Sequence, residues 1–90
     1  MNLESKFVWM NGALVPHEKA VIPFLTPALH YGTAVFEGMR AYGTPNGPAI
    51  FRLGDHVRRL MDSCHIYRMP VTYSRDEIVA ACRDLVKMNG

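Results

Sequence analysis

Four residues at alternate positions, Phe36, Gly38, Arg40 and Tyr42, have types and a spacing that could do chemistry. Successive side chains of a β-strand point to opposite faces, so a strand here would place all four on one face. A guanidinium group binds a carboxylate in a bidentate fork, and a glycine leaves room for a ligand. The pattern therefore indicates one wall of a pocket for a small carboxylate ligand. The alternative is two core aromatic residues, a bulge at the glycine and a surface arginine.

Three further residues are candidates on chemical grounds. Glu37 falls on the opposite face among apolar neighbours, where a carboxylate must be solvated or paired, so we expect a structural partner. His30 could act as a general acid or base, but no orienting acid or nucleophile accompanies it, which favours a structural hydrogen bond in a turn. Arg59 follows Asp55 by four residues, and this spacing favours an ion pair on a helix over a phosphate site. Neither a metal-ligand spacing nor a nucleotide-binding motif is present in the sequence.

Length, charge and composition exclude several classes of function. The 90 residues allow one domain, and the net charge of +2 with dispersed basic residues argues against nucleic acid. The sequence contains no apolar run of the roughly 20 residues that span a bilayer and no secretory signal pattern. We therefore expect a cytoplasmic protein in which Cys64 and Cys82 are buried free thiols. A disulfide or redox pair is the alternative.

Turn signals divide the first half of the chain into hairpins. Asn11-Gly12 is the strongest two-residue hairpin signal, and it predicts that FVWM and ALV pair as antiparallel strands. A tight turn at about residues 29–32 would lead into a long strand at about residues 33–42. The sequence GTPNGP then turns the chain, and residues 49–53 return as the antiparallel partner.

Two helices are predicted in the second half of the chain. The first spans about residues 55–67, with Val57 and Cys64 in a buried stripe of helical spacing. The second opens with a capping box, in which Ser74 and Glu77 satisfy each other's backbone amides, and Gly90 is placed to end it. The order of elements predicts an α+β fold, in which an antiparallel sheet has two helices packed on one face.

Three stretches resemble the branched-chain amino acid aminotransferases, which are fold type IV pyridoxal-phosphate enzymes. ALHYGTAVFEGMRAY resembles the family's N-terminal signature, and FVWMNGALVP resembles its opening hairpin. GPAIFRLGDHVRRLMDSCHIYRMP resembles its strand-helix segment and carries the H-x-x-R-L-x-x-S pattern as His56, Arg59, Leu60 and Ser63. The resemblance covers nearly all 90 residues.

The resemblance implies a role for five residues. Arg59 resembles the arginine that holds the phosphate of the cofactor, pyridoxal 5′-phosphate. Phe36 and Gly38 resemble the aromatic and the small residue of the substrate side-chain pocket. Arg40 resembles an arginine near the substrate carboxylate, and it acts through its hydrogen-bonding neighbours. Tyr31 resembles a tyrosine lent to the neighbouring subunit's active site, which implies a homo-oligomer.

The resemblance also implies what this sequence lacks. The family's chemistry needs a lysine that forms a Schiff base with the cofactor, and none of Lys6, Lys19 and Lys87 matches it. We therefore expect residues 1–90 to be a truncated N-terminal small domain without catalytic residues, inactive alone, with the larger cofactor-binding domain absent. The parent enzyme would exchange amino groups between leucine, isoleucine or valine and 2-oxoglutarate. The alternatives are a stand-alone binding or dimerisation module, a D-amino acid aminotransferase or an aminodeoxychorismate lyase.

Overall fold

The structure is a computed structural model that describes residues 5–89. It has the predicted α+β class, with the strands in two separate antiparallel hairpins rather than in one sheet. In chain order the elements are β1 (Phe7–Met10), β2 (Ala13–Pro16), a 3₁₀ turn (His17–Lys19), α1 (Pro27–Tyr31), β3 (Ala41–Thr44), β4 (Gly47–Ile50), α2 (Leu53–Ile66) and α3 (Arg75–Asn89).

The first hairpin confirms the prediction from Asn11-Gly12. Both residues have positive φ, 51° and 90°, as a type I′ turn requires. A Cβ atom on Gly12 would lie 3.0 Å from the Tyr73 hydroxyl oxygen, so glycine also serves close packing here. The Tyr73 ring meets the Trp9 ring edge-on, with ring centroids 5.0 Å apart. These contacts place the turn of the first hairpin beside the start of α3.

The predicted strand at residues 33–42 begins only at Ala41. Residues 32–40 have no regular secondary structure, because a β-ladder needs a hydrogen-bonding neighbour and the described part of the chain provides none for them. The predicted alternation is nevertheless present. Val35, Glu37 and Met39 are half-buried, whereas Phe36, Gly38 and Arg40 are exposed. The prediction of two faces was correct, and the prediction of a long strand was wrong.

The corner before this segment is a short helix. α1 begins with a proline and ends at Gly32, which adopts the left-handed conformation with φ 65°. The His30 Nε2 atom lies 2.7 Å from the Phe24 carbonyl oxygen and makes a hydrogen bond that closes this corner. The structural role predicted for His30 is therefore confirmed.

The helices carry the small core. Val57 and Cys64 of α2 are buried with Leu53 and with Ala81 of α3. Both cysteines are free thiols; Cys82 is half-buried, and burial raises the pKa of its thiol. No helix within residues 5–89 is both long enough and apolar enough to cross a membrane.

Both ends of α3 are held by side chains. The Ser74 Oγ atom accepts a hydrogen bond from the Glu77 amide, and Glu77 Oε1 accepts one from the Ser74 amide, both at 3.1 Å. This reciprocal pair confirms the predicted capping box. At the other end, Asn89 Oδ1 accepts from the Phe7 amide at 2.9 Å, and Asn89 Nδ2 donates to the Phe7 carbonyl at 3.1 Å. The predicted helix stop at Gly90 lies outside the described residues.

The segment between the first hairpin and β3 exposes an unusual amount of apolar surface. More than half of the surface of seven of its large apolar side chains is open to solvent: Val21, Ile22, Phe24, Leu25, Leu29, Tyr31 and Phe36. A contiguous exposed apolar surface of this kind is typical of a region that contacts other protein.

Candidate active site

A hydrogen-bonded cluster of Glu37, His56 and Arg59 joins the extended segment to α2. Arg59 donates from Nε to Glu37 Oε1 at 3.1 Å and from Nη2 to Glu37 Oε2 at 2.6 Å. The His56 Nδ1 atom lies 2.7 Å from Glu37 Oε2. Because an ionised carboxylate only accepts hydrogen bonds, Nδ1 carries the proton and donates it. This arrangement confirms that Glu37 has structural partners.

The local sequence explains why these side chains meet. His56 and Arg59 are three residues apart on α2, so they lie on the same face of the helix. Glu37 belongs to the half-buried row of the alternating segment, and only 13% of its side chain is exposed. The row that faces away from solvent therefore brings one carboxylate against the two cationic positions of the helix.

The ion pair predicted between Asp55 and Arg59 is wrong. Asp55 instead accepts hydrogen bonds from Arg52, which donates from Nε and Nη2 at 2.8 Å each. Arg52 is in the left-handed conformation, with φ 52°, at the position before α2, and this conformation turns its side chain back over the first turn. Helical periodicity permitted the predicted pair, but each partner has another contact that periodicity alone does not reveal.

Three arginines line one recess on this surface, which we call the arginine recess. It has a volume of about 390 Å³ and is lined by Phe51, Arg52, Asp55, His56, Arg58 and Arg59. Three guanidinium groups exceed the single carboxylate in charge, so the recess is cationic. Guanidinium groups match the geometry of phosphate oxygens, so this donor set fits a phosphate group.

A second recess, which we call the Gly38 recess, has two of the arginine recess residues in its wall. It has a volume of about 380 Å³ and is lined by Gly38, Met39, Arg40, Tyr42, Phe51 and His56. The structure thus brings together Gly38, Arg40 and Tyr42, three of the four residues of the predicted pocket wall. Phe51 and His56 line both recesses, so the phosphate-type site and the predicted carboxylate site are neighbours.

The other two predicted site residues lie elsewhere on the surface. Phe36 is 91% exposed. Tyr31 lines a third recess of about 430 Å³, together with Gly32, Thr33, Ala34, Tyr67, Arg68, Met69 and Pro70. Within residues 5–89, the fold does not bring Phe36 and Tyr31 into one site with Arg40 and Arg59.

Sequence reasoning did not assign His56 to the site. The structure places it at the centre of the cluster and in both recesses. Its spacing of three residues from Arg59 was the signal that could have identified it, because residues three apart share a helix face.

The ion pairing of Glu37 has a measurable consequence. Arg59 first, and His56 second, hold the pKa of the Glu37 carboxyl below its ordinary value of 4.5. A lowered pKa in the folded state means that the pairing stabilises the fold above pH 4.5, and this stabilisation is lost as pH falls through the folded-state pKa.

We expect the Glu37 carboxyl carbon to titrate in NMR spectra with a midpoint below 4.5. The variant Arg59→Ala should raise that midpoint, because the largest cause of the shift is removed. The variant Arg83→Ala, which changes an arginine of α3 outside the cluster, should leave the midpoint unchanged. A midpoint that does not respond to Arg59→Ala would contradict the pairing.

Comparison with known proteins yields a consistent set of matches. The profile of the family described as amino-transferase class IV matches residues 34–90. A branched-chain-amino-acid aminotransferase of Pseudomonas aeruginosa is 54% identical over 82 residues, which is 91% of this chain and 27% of that protein. The corresponding protein of Salmonella typhimurium is 46% identical over 86 residues, which is 96% of this chain and 28% of that protein.

Solved structures agree with these matches. The crystal structure of the Escherichia coli branched-chain amino acid aminotransferase has a TM-score of 0.92 and 46% identity, over 96% of this chain and 28% of that chain. A second branched-chain amino acid aminotransferase, from T.th. and complexed with N-(5′-phosphopyridoxyl)-L-glutamate, has a TM-score of 0.94 and 47% identity, over 99% of this chain and 30% of that chain. The chain therefore spans less than a third of the length of the proteins that it matches.

Proposed function

Because the chain belongs to the amino-transferase class IV family, we propose that it provides one wall of the active site of a pyridoxal-phosphate-dependent branched-chain amino acid aminotransferase. The reaction would exchange the amino group between leucine, isoleucine or valine and 2-oxoglutarate. Support comes from the names of the relatives and from a similar structure complexed with a phosphopyridoxyl-glutamate compound.

The observation that carries this proposal is the arginine recess beside the Gly38 recess. Arg59 would bind the cofactor phosphate, and the neighbouring Arg52 and Arg58 would add positive charge around it. When bound, pyridoxal phosphate supplies an electron sink for the bond that breaks at the substrate Cα. The protein's own contribution here is to hold the phosphate end and so fix the orientation of the ring.

The Gly38 recess would receive the substrate. Arg40 and Tyr42 provide a cation and a hydroxyl for the carboxylate side of the substrate, and Gly38 leaves room for it. Phe36 would line the pocket for the branched side chain. We further propose that its exposed face, and that of Tyr31, are covered by other protein, with Tyr31 contributing to the active site of a neighbouring subunit in a homo-oligomer.

None of Lys6, Lys19 and Lys87 lines either recess. We therefore propose that residues 1–90 act as the small, substrate-pocket and dimer-contact domain, and that the lysine that binds the cofactor covalently belongs to a different, larger domain. Residues 1–90 alone should be inactive. We also propose that the enzyme works in the cytoplasm.

The test uses the complete protein encoded by the reading frame that contains this sequence. With pyridoxal phosphate supplied, we expect amino transfer from L-leucine, L-isoleucine and L-valine to 2-oxoglutarate. Arg40→Ala should lower kcat/KM about tenfold or more, since a hydrogen bond to a charged group contributes roughly 1.5–3 kcal/mol. Arg83→Ala is the matched control. Transfer from D-alanine instead, or no transfer by a protein that binds the cofactor, would contradict the proposal.

A further inference from the structure

Glu37 occupies only one edge of the Arg59 guanidinium group. An arginine has five N–H donors, and Glu37 accepts from Nε and from one hydrogen of Nη2. The remaining donors belong to Nη1 and to the second hydrogen of Nη2. None of the residues from Ser5 to Asn89 accepts a hydrogen bond from Nη1. The Nη1–Nη2 edge is therefore free to bind two oxygens of one anion.

Charge alone does not explain a carboxylate at this position. Glu37 opposes the binding of an anion, because its negative charge offsets that of Arg59. A favourable contribution of Glu37 must therefore come from geometry. A bidentate contact at Nε and Nη2 fixes the plane of the guanidinium group, and a flexible side chain that is already ordered loses less rotamer freedom on binding.

His56 in turn fixes Glu37. The Nδ1 atom of His56 donates to Oε2, the same oxygen that accepts from Arg59 Nη2. The Glu37 side chain is 13% exposed and the Arg59 side chain 61% exposed, so order passes from the half-buried carboxylate to a solvent-facing arginine. The pair Glu37 and His56 thus has the form of a support behind a binding group.

We propose that Glu37, held by His56, is a positioning residue that presents the Nη1–Nη2 edge of Arg59 to the cofactor phosphate. This inference rests on the proposed function, because it assumes that Arg59 binds that phosphate. The opposite role would be competition, in which Glu37 occupies Arg59 until the phosphate displaces it. The two roles predict affinity changes of opposite sign.

The experiment measures the binding of pyridoxamine 5′-phosphate and of pyridoxamine to the complete protein by calorimetry. Neither probe forms a covalent link to lysine, and they differ only in the phosphate. Glu37→Gln leaves one accepting oxygen and removes the bidentate contact. We expect it to weaken pyridoxamine 5′-phosphate about tenfold, a change of roughly 1.4 kcal/mol, and to leave pyridoxamine unchanged. Glu18→Gln, the same change at an exposed position of the 3₁₀ turn, is the control.

Two variants of His56 test the support and protect the experiment against misfolding of Glu37→Gln. His56→Ala removes the donor to Glu37 and should weaken pyridoxamine 5′-phosphate in the same direction. His56→Asn places an amide N–H near the position of Nδ1 and should restore most of the affinity. Equal losses in His56→Ala and His56→Asn would overturn the support role.

Arg59→Ala separates the two levels of the proposal. If Arg59→Ala does not weaken pyridoxamine 5′-phosphate, the phosphate role itself is wrong. If Arg59→Ala weakens it while Glu37→Gln tightens it or leaves it unchanged, the phosphate role stands and the positioning role is overturned.

Discussion

Replacing Arg59 with alanine is expected to weaken the binding of pyridoxal 5′-phosphate to the complete protein by about a hundredfold. The change removes at least two charge-assisted hydrogen bonds, each contributing roughly 1.5–3 kcal/mol, and a loss of about 3 kcal/mol corresponds to a hundredfold change in affinity. It also leaves the half-buried carboxylate of Glu37 without its arginine partner. Equilibrium dialysis against the cofactor measures the dissociation constant.

Two companion variants make the result specific. Arg59→Lys keeps the positive charge but loses the planar fork, so it should recover only part of the affinity. Arg83→Ala removes an arginine of α3 that lies outside the arginine recess and should bind the cofactor as the unaltered protein does. Cofactor affinity that is the same in Arg59→Ala as in Arg83→Ala would exclude Arg59 as the phosphate ligand.

Replacing Val57 with aspartate is expected to abolish the cooperative unfolding of this domain. Val57 is the only large side chain among residues 5–89 with no solvent exposure, and it lies at the centre of the α2 stripe. An ionised carboxylate has no partner there, and burying such a charge costs more than a small domain can offset. Soluble yield and thermal unfolding followed by circular dichroism measure the effect.

Val21→Asp is the matched control for this prediction. Val21 is 71% exposed, so the same change in chemistry should shift the free energy of unfolding by no more than about 0.5 kcal/mol. If Val57→Asp and Val21→Asp unfold at the same temperature, α2 does not pack as described.

Features determined by neighbouring residues were predictable from the sequence. The Asn11-Gly12 turn depends on the φ angles of two residues, and the capping box depends on residues 74 and 77. The buried stripe of α2 depends on a spacing that any helix shares. These features need no knowledge of distant parts of the chain, so their physical causes are already present in the local sequence.

Features determined by distant residues were not predictable in the same way. The segment at residues 32–40 has the alternation of a strand but no neighbouring strand within residues 5–89, and a local pattern cannot supply one. Arg59 has Asp55 four residues away, yet it pairs with Glu37, which is 22 residues away. Which carboxylate an arginine contacts depends on how the extended segment crosses α2, and this crossing is a property of the tertiary fold.

The hydrogen bonds of Asn89 to Phe7 join positions 82 residues apart. The amide of Asn89 contacts both the N–H and the carbonyl of one strand residue, as a neighbouring strand would, and thereby covers one edge of β1. Because closing a loop of this length costs chain entropy before any contact repays it, this clasp should form late in folding. During synthesis, the first hairpin of the nascent chain must therefore wait with an uncovered edge until the last turn of α3 has been translated.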